Sequence, residues 1–265
     1  MNRTPIEWVK NPDGTQGYTW NPITGCLNGC EYCYARKLAN GRLKQRYLAN
    51  ENILPLQTES PGYYTSKLID NLDPFYPRFW SGRFLDKDLW NKTPKGIFAV
   101  DMGELFGDWI PLTWTEAILA TINENPQHRF YLLTKQDQNL EDFSPFPDNC
   151  WVGVSVDGRD LGRPIYFLKR IVAKVKFISF EPLLYPTTQT NLVSNLDWVI
   201  IGSQTKPYKP PKIEWVEEIV RGCDKAGMPV FLKDNLYPLL GLGNGKSICH
   251  INETGVLRQE MPNED

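Results

Sequence analysis

Trp151-Val152-Gly153-Val154-Ser155-Val156 is a near-continuous apolar and β-branched run bounded by polar residues. Strands buried on both faces of a parallel sheet read this way, without the strict alternation of a half-exposed strand. Runs of the same kind recur at Gly96-Ile97-Phe98-Ala99-Val100, Arg129-Phe130-Tyr131-Leu132-Leu133, Val175-Lys176-Phe177-Ile178-Ser179-Phe180, Trp198-Val199-Ile200-Ile201 and Pro229-Val230-Phe231-Leu232. A weaker one, Tyr18-Thr19-Trp20-Asn21-Pro22-Ile23, comes before them. Amphipathic helical segments fall between. One opens at Thr113-Trp114-Thr115-Glu116 as a capping box and continues through Ile118, Leu119 and Ile122. Two more cover Ile165 to Ile171 and Ile213 to Cys223, the latter closing at Ala226-Gly227. Alternation of this kind predicts right-handed βαβ units around a parallel sheet.

The residues after the strands select among parallel sheets. They are Asp101-Met102-Gly103-Glu104, Thr134-Lys135, Ser155 with Asp157, Glu181, Ser203-Gln204-Thr205 and Lys233-Asp234. An open doubly wound sheet uses two or three strand ends at a switch point, whereas a parallel barrel brings all of them to one mouth. Six polar ends predict an α/β fold with a partial or full parallel (β/α) barrel. The plainer alternative is that strand ends are polar because the chain re-enters water there. Residues 1–265 read as one domain. Within it, 49–95 is an irregular insertion or cap rich in Pro, Asn, Asp and aromatics, and 237–265 is a C-terminal extension. In the cap, Phe75-Tyr76-Pro77-Arg78-Phe79-Trp80 reads as packed irregular structure, with base stacking or phosphate pairing by Arg78 and Arg83 as the alternative.

At 265 residues the chain can bury a sizeable core. No apolar run approaches the roughly 20 residues that span a bilayer, and the N-terminus lacks an apolar signal stretch, so a cytoplasmic location is expected. A net charge of −2 excludes a chain that is basic as a whole. From Arg36 to Arg46, however, there are five positive charges and no negative one, which is either a solvated helix face or a phosphate-contacting edge. Six cysteines in this length do not make a disulfide scaffold. Cys150, Cys223 and Cys249 are scattered, while Cys26, Cys30 and Cys33 share one loop. Three thiolates so close can converge on one soft metal centre, and the missing local fourth ligand separates a reactive site from a closed structural one. A zinc site would need a distant fourth ligand from Cys150, Cys223, Cys249, His128 or His250, none of which has a paired partner.

The spacing C-x3-C-x2-C, with Tyr32 before the third cysteine, resembles the signature of the radical S-adenosylmethionine superfamily. The resemblance implies a TIM-like core in which Cys26, Cys30 and Cys33 hold a 4Fe-4S cluster. The open iron would bind S-adenosyl-L-methionine and cleave it to a 5′-deoxyadenosyl radical. It places Tyr32 near the adenine and makes Gly103-Glu104 the shortened remains of the motif that receives the methionine amino group. Met102 stands where that motif usually has its first Gly. Lys135, at a strand end, is the candidate for the carboxylate of S-adenosylmethionine, and Ser155 for its ribose. Glu181 is the candidate catalytic or substrate-holding acid, with an ion pair to Lys135 or Lys233, or a helix cap, as the alternative.

Over roughly residues 5 to 236 the ordered set Trp20 to Cys26, Met102 to Phe106, Leu133 to Lys135, Trp151 to Val156, Phe177 to Leu184 and Trp198 to Gly202 resembles a phage-associated, largely uncharacterised family of that superfamily. It implies partners beyond S-adenosylmethionine: an electron donor such as a flavodoxin or ferredoxin, and a nucleic acid or nucleotide as substrate, with no membrane. The competing classes are a non-catalytic zinc- or iron-sulfur-binding module associated with nucleic acid, and a redox sensor.

Overall fold

A computed structural model of the chain describes residues 1–54, 73–187, 196–240, 249 and 256–263. Parts of the expected cap and of the C-terminal extension, and His250, lie outside these residues. The architecture is mixed α/β around one eight-stranded sheet. Its strands are β1 (Asn2–Arg3), β2 (Tyr18–Trp20), β3 (Gly96–Ala99), β4 (Arg129–Thr134), β5 (Cys150–Val156), β6 (Val175–Phe180), β7 (Trp198–Ile201) and β8 (Val230–Leu232), and they lie side by side in sequence order. From β2 to β8 every pairing is parallel. Sequential order without a reversal leaves no switch point, so all the carboxyl ends lie along one edge, as in a barrel wall.

The sheet does not close among the described residues, and each edge has an antiparallel cover. β1 pairs with β2, Asn2 opposite Thr19. At the far edge Leu232 N donates to Arg258 O at 2.7 Å, and Glu260 N to Val230 O at 3.1 Å. With both outer ladders taken, β2 and β8 cannot pair with each other. Among the described residues the sheet is therefore open, and a full barrel is not formed.

Strand alternation divides the sheet into two different faces. One carries Ile97, Leu132, Val152, Ile178 and Val199 and is packed by α3 (Leu112–Asn123), α4 (Gly162–Arg170) and α5 (Ile213–Ala226), numbered after the short α1 (Tyr34–Asn40) and α2 (Lys44–Leu48). The other carries Phe98, Tyr131, Trp151, Phe177, Trp198 and Phe231. Among the described residues no helix covers that second face. Instead the N-terminal segment folds under it and inserts Trp8, which is 1% exposed. Its ring centroid lies 5.0 Å from Phe98, 5.5 Å from Tyr131 and 6.1 Å from both Phe177 and Trp198. Gly153 has a packing reason on the same face, since a Cβ there would meet the Phe177 ring at 2.5 Å.

Helix boundaries follow local chemistry, with one correction. The α5 stop is as expected, with Gly227 in the left-handed region at φ 65°. The capping box is not. α3 starts one residue earlier, after Pro111, with no side-chain cap. Thr113 therefore lies inside the first turn, and Thr115 Oγ1 donates to Leu105 O at 3.0 Å, tying that turn to the segment after β3. The cap region contains one short strand, Arg78–Phe79, antiparallel to Ile23–Thr24. Arg78 is 1% exposed and donates to the carbonyls of Asn50, Asp73 and Tyr76. No helix among the described residues is long and apolar enough to cross a membrane.

Trp8→Ala empties the centre of the aromatic face and is expected to cost about 3–5 kcal/mol in a urea melt. Trp8→Phe keeps most of the ring packing and should cost less than half as much. Equal losses would show that the indole N–H, and not the ring, is what matters.

Candidate metal centre and strand-end site

The cysteine loop is attached to the sheet edge by main-chain contact at Gly25. Its N–H donates to Met102 O at 2.9 Å, and its carbonyl accepts from Glu104 N at 3.2 Å. Cys26 N then donates to Phe75 O at 3.1 Å. Gly25 has φ 93°, and a Cβ there would stand 2.5 Å from Tyr76 O and 2.6 Å from Phe75 O, so only glycine fits. The facing turn after β3 is also unusual. Val100, a β-branched residue, sits at φ 63°, which costs on the order of 1–3 kcal/mol of strain. It directs the chain into Asp101, whose carboxylate accepts from Asn21 Nδ2 and, at 3.1 Å, from the Tyr34 hydroxyl. Burial pushes Asp101 up, against the hydrogen bonds that pull it down.

The three thiols are half-buried. Cys33 is the N-cap of α1, and its Sγ accepts from Arg36 N at 3.3 Å. Cys26 Sγ accepts from Asn28 N, also at 3.3 Å. Burial first, and the Glu104 carboxylate second, push Cys26 up to about 12, while burial raises Cys30 and nearby Lys135 opposes it. Metal loading must therefore displace protons. Among the described residues no three His, Cys, Asp or Glu side chains converge as they would on a single ion. Three soft donors on one loop, two of them accepting N–H···S bonds, suit an iron–sulfur group, which Cys26, Cys30 and Cys33 would hold. The distant candidates for a fourth zinc ligand are committed elsewhere. Cys150, Cys223 and Cys249 belong to the helix-side core, and His128 accepts from Lys95 N while its other ring nitrogen faces Leu89 O.

Glu104 ties this loop to the neighbouring strand. It is 3% exposed. Oε1 accepts from Leu105 N and Phe106 N, both at 3.1 Å, and from Thr134 Oγ1 at 2.6 Å. Oε2 accepts from Asn28 Nδ2 at 3.1 Å and Lys135 N at 3.2 Å. Gln136 holds the other side of the Asn28 amide.

Register brings the remaining strand-end residues to the aromatic side of the sheet. Ser155 and Ser179 are paired across β5 and β6. Lys135 Nζ donates to Ser155 Oγ at 2.7 Å and lies 5.6 Å from the Tyr32 ring centroid. Tyr32 in turn bonds Cys30, and burial raises its hydroxyl. Tyr32, Lys135 and Ser155 thus form one chain from the thiols to the strand ends. The Ser155 hydroxyl reaches the Glu181 main-chain carbonyl at 3.4 Å, but the Glu181 side chain is engaged elsewhere. It forms an ion pair with Lys233, not Lys135, and accepts from Ser179 Oγ and Trp8 Nε1, each at 2.9 Å. Glu7 approaches the same ammonium at 3.4 Å. Burial lowers the Lys233 pKa, but the two carboxylates outweigh it and the net shift is upward, so the ammonium stays charged.

Three contributions were not anticipated from the sequence: Glu7 and Trp8 beneath Glu181, and the Asn28–Gln136 latch over Glu104. The turn signal Asn11-Pro12-Asp13-Gly14 after Trp8-Val9 marks a returning N-terminal segment and could have pointed to the first two.

Glu181→Gln leaves Lys233 buried with half its counter-charge and is expected to cost about 3 kcal/mol in a urea melt. Adding Lys233→Met should recover at least half of that. A cost below about 0.5 kcal/mol would mean that the pair is solvated and not the floor of a site.

No curated protein sequence matches the chain. Solved structures give a fold. A cysteine-to-serine mutant of spore photoproduct lyase matches with TM-score 0.51 and 10% identity, over 88% of this chain and 81% of that one. The same lyase complexed with dinucleoside spore photoproduct gives 0.50 and 10%, over 85% and 78%. A double mutant of it with bound AdoMet and dinucleoside spore photoproduct matches at 0.44 and 11%, and there the chain spans only 56% of the other protein's length. The first two likenesses establish a shared fold. Residues 3–236 match the model of the family described as a protein of unknown function, DUF5131, and the chain belongs to that family.

Proposed function

We propose that the chain is a radical S-adenosylmethionine enzyme, with Cys26, Cys30 and Cys33 holding a 4Fe-4S cluster. The observation that carries this reading is the position of the thiols: three soft donors on one loop, fixed by the Gly25–Met102 contact to the carboxyl edge of a parallel sheet. The fold shared with spore photoproduct lyase, a radical S-adenosylmethionine enzyme, supports it. When bound, the cluster would supply one electron to the sulfonium of S-adenosylmethionine, received in turn from a small donor such as a flavodoxin or ferredoxin.

The chain's own residues bind, orient and exclude water. The Lys135 ammonium neutralises the carboxylate of S-adenosylmethionine, and Ser155, already its hydrogen-bond partner, reaches the ribose. Tyr32 offers its ring to the adenine. The methionine amino group falls to the turn at Gly103-Glu104. Because the Glu104 carboxylate already has five donors, the main chain of that turn receives the amino group and the carboxylate holds the turn in shape. Glu181, fixed by Lys233, Ser179 and Trp8, is the acid that meets substrate, while the aromatic face beneath it keeps water out from below. Spore photoproduct lyase is known in complex with a dinucleoside. Nucleic acid or a nucleotide is accordingly the substrate class proposed for this chain, in keeping with the phage association that the sequence resemblance implies.

Anaerobic reconstitution with iron and sulfide, reduction, and addition of S-adenosylmethionine should give a brown protein that forms 5′-deoxyadenosine. Cys30→Ala should form none. Lys135→Ala should keep the chromophore and weaken S-adenosylmethionine binding roughly ten- to a hundredfold, the weight of one charge-assisted hydrogen bond. Bound zinc without a chromophore would overturn the proposal. A cluster that cleaves nothing even with oligonucleotide present would favour the redox sensor.

A further inference from the structure

The chain is acidic overall, yet two of its surface segments carry only positive charge, and the fold joins them. The first runs through α1 and α2. From Tyr32 to Asn50 it holds Arg36, Lys37, Arg42, Lys44 and Arg46 and no acid. The second follows β7. From Trp198 to Ile213 it holds Lys206, Lys209 and Lys212 and no acid. Its centre is a two-stranded hairpin, Gln204–Thr205 against Tyr208–Lys209. The segments lie far apart in sequence and meet in space, where Lys37 Nζ donates to Lys206 O.

Their position relates them to the site. α1 begins at Cys33, its N-cap. The hairpin is pinned at its other end by Asn235, whose side chain accepts from Ser203 N at 2.8 Å and whose carbonyl accepts from the Tyr208 hydroxyl at 3.3 Å. Asn235 lies two residues beyond Lys233, the partner of Glu181. The positive surface therefore forms a lip from the cysteine helix to the Glu181–Lys233 pair, along the carboxyl edge of the sheet. Its charges are mostly uncommitted. Arg36 pairs with Asp73 at 3.2 Å, and Lys212 lies over the Trp215 ring. Lys37, Arg42, Lys44, Arg46, Lys206 and Lys209 are exposed and form no ion pair among the described residues. Uncompensated cations massed at one edge of a protein with net charge −2 cost self-repulsion, and a polyanion relieves it. Tyr208, 46% exposed between Lys206 and Lys209, adds a ring on which a base can stack.

We infer that this lip, built from α1, α2 and the 204–209 hairpin, binds the sugar–phosphate backbone of a single nucleic-acid strand and delivers one of its nucleotides to the strand-end site. Lys206, Lys209, Arg42 and Lys44 contact phosphates, and Tyr208 stacks a base beside the mouth. Delivery to the site rests on the radical reading above; binding by the lip does not. A single strand suits the arrangement because a nucleotide must leave any duplex stack to reach a recessed site.

The test uses the full chain without added cluster and a fluorescein-labelled 20-mer of mixed sequence, followed by anisotropy across a salt series. Wild type should bind, with affinity falling as salt rises. Lys206→Ala with Lys209→Ala should weaken binding at least tenfold and flatten the log–log salt slope by about 1.4, that is about 0.7 for each lost phosphate contact. Arg42→Ala with Lys44→Ala, on the other arm, should do the same, which guards against a hairpin variant that merely misfolds. Lys87→Ala with Lys92→Ala, an equal charge change before β3 at the opposite edge, should leave binding within twofold. No binding at 50 mM salt, equal loss in the Lys87 and Lys92 control, or preference for phosphatidylserine vesicles over the oligonucleotide would overturn the inference. Failure of the radical reading is separate: it would appear as oligonucleotide binding without 5′-deoxyadenosine formation by the reconstituted protein.

Discussion

The Glu104 carboxylate is the interaction on which the site depends. A carboxylate removed from water costs several kcal/mol unless its oxygens are given donors, and Glu104 at 3% exposure receives five of them. The donors come from three parts of the chain: its own turn after β3, the end of β4, and Asn28 in the cysteine loop. Because the penalty for leaving any of them unpaired is large, the three segments are held in one arrangement. The cysteine loop and the helices after it pack only a small cluster, Ala35, Ala39 and Tyr47 against Phe75 and Met102, with Cys26 and Cys33 at its margin. Attachment of the loop to a rigid sheet edge through Glu104 and Gly25 is what gives the thiols a fixed direction.

The second constraint is the asymmetry of the sheet. Among the described residues helices pack on one face only, and on the other face aromatic side chains with Trp8 at their centre provide the cover. Large rings bury much area with few rotatable bonds, so this floor is stiff. It also has a polar outlet. The Trp8 indole N–H reaches Glu181, and Glu7 beside it reaches Lys233. The packing of the underside and the electrostatics of the mouth are thus coupled through two adjacent residues of the N-terminal segment. Strain at Val100 belongs to the same edge, where the surroundings hold a β-branched residue in a conformation it would otherwise leave.

Much of this was legible in the sequence, for reasons that can be stated residue by residue. Near-continuous runs such as Phe177 to Phe180 identify two-sided burial without knowledge of their partners, and their order gives the parallel sheet. Cysteine spacing is local, so the three-cysteine loop could be read directly. The strand-end positions of Lys135, Ser155 and Glu181 follow from where the apolar runs end. Less legible was what each of these polar groups touches. The Thr113 capping box failed because the helix starts before it, after Pro111, which puts Thr113 inside the first turn and not at the cap. Glu181 was open between Lys135 and Lys233, which follow strands two places away on either side; Lys135 turns to Ser155, and Lys233 makes the ion pair.

The sequence by itself determined the α/β class, the parallel sheet with its polar carboxyl edge, and the three-thiol loop before a helix, because each is written in residues a few positions apart. Tertiary structure decided that the sheet stays open among the described residues, with antiparallel segments occupying both outer ladders. It also decided that Glu104 acts as a tie, that Trp8 supports Glu181 across 173 residues, and that two basic segments meet at Lys37 and Lys206. These are contacts between segments remote in sequence, set by strand order and by the need to pair every buried charge. No local pattern encodes them.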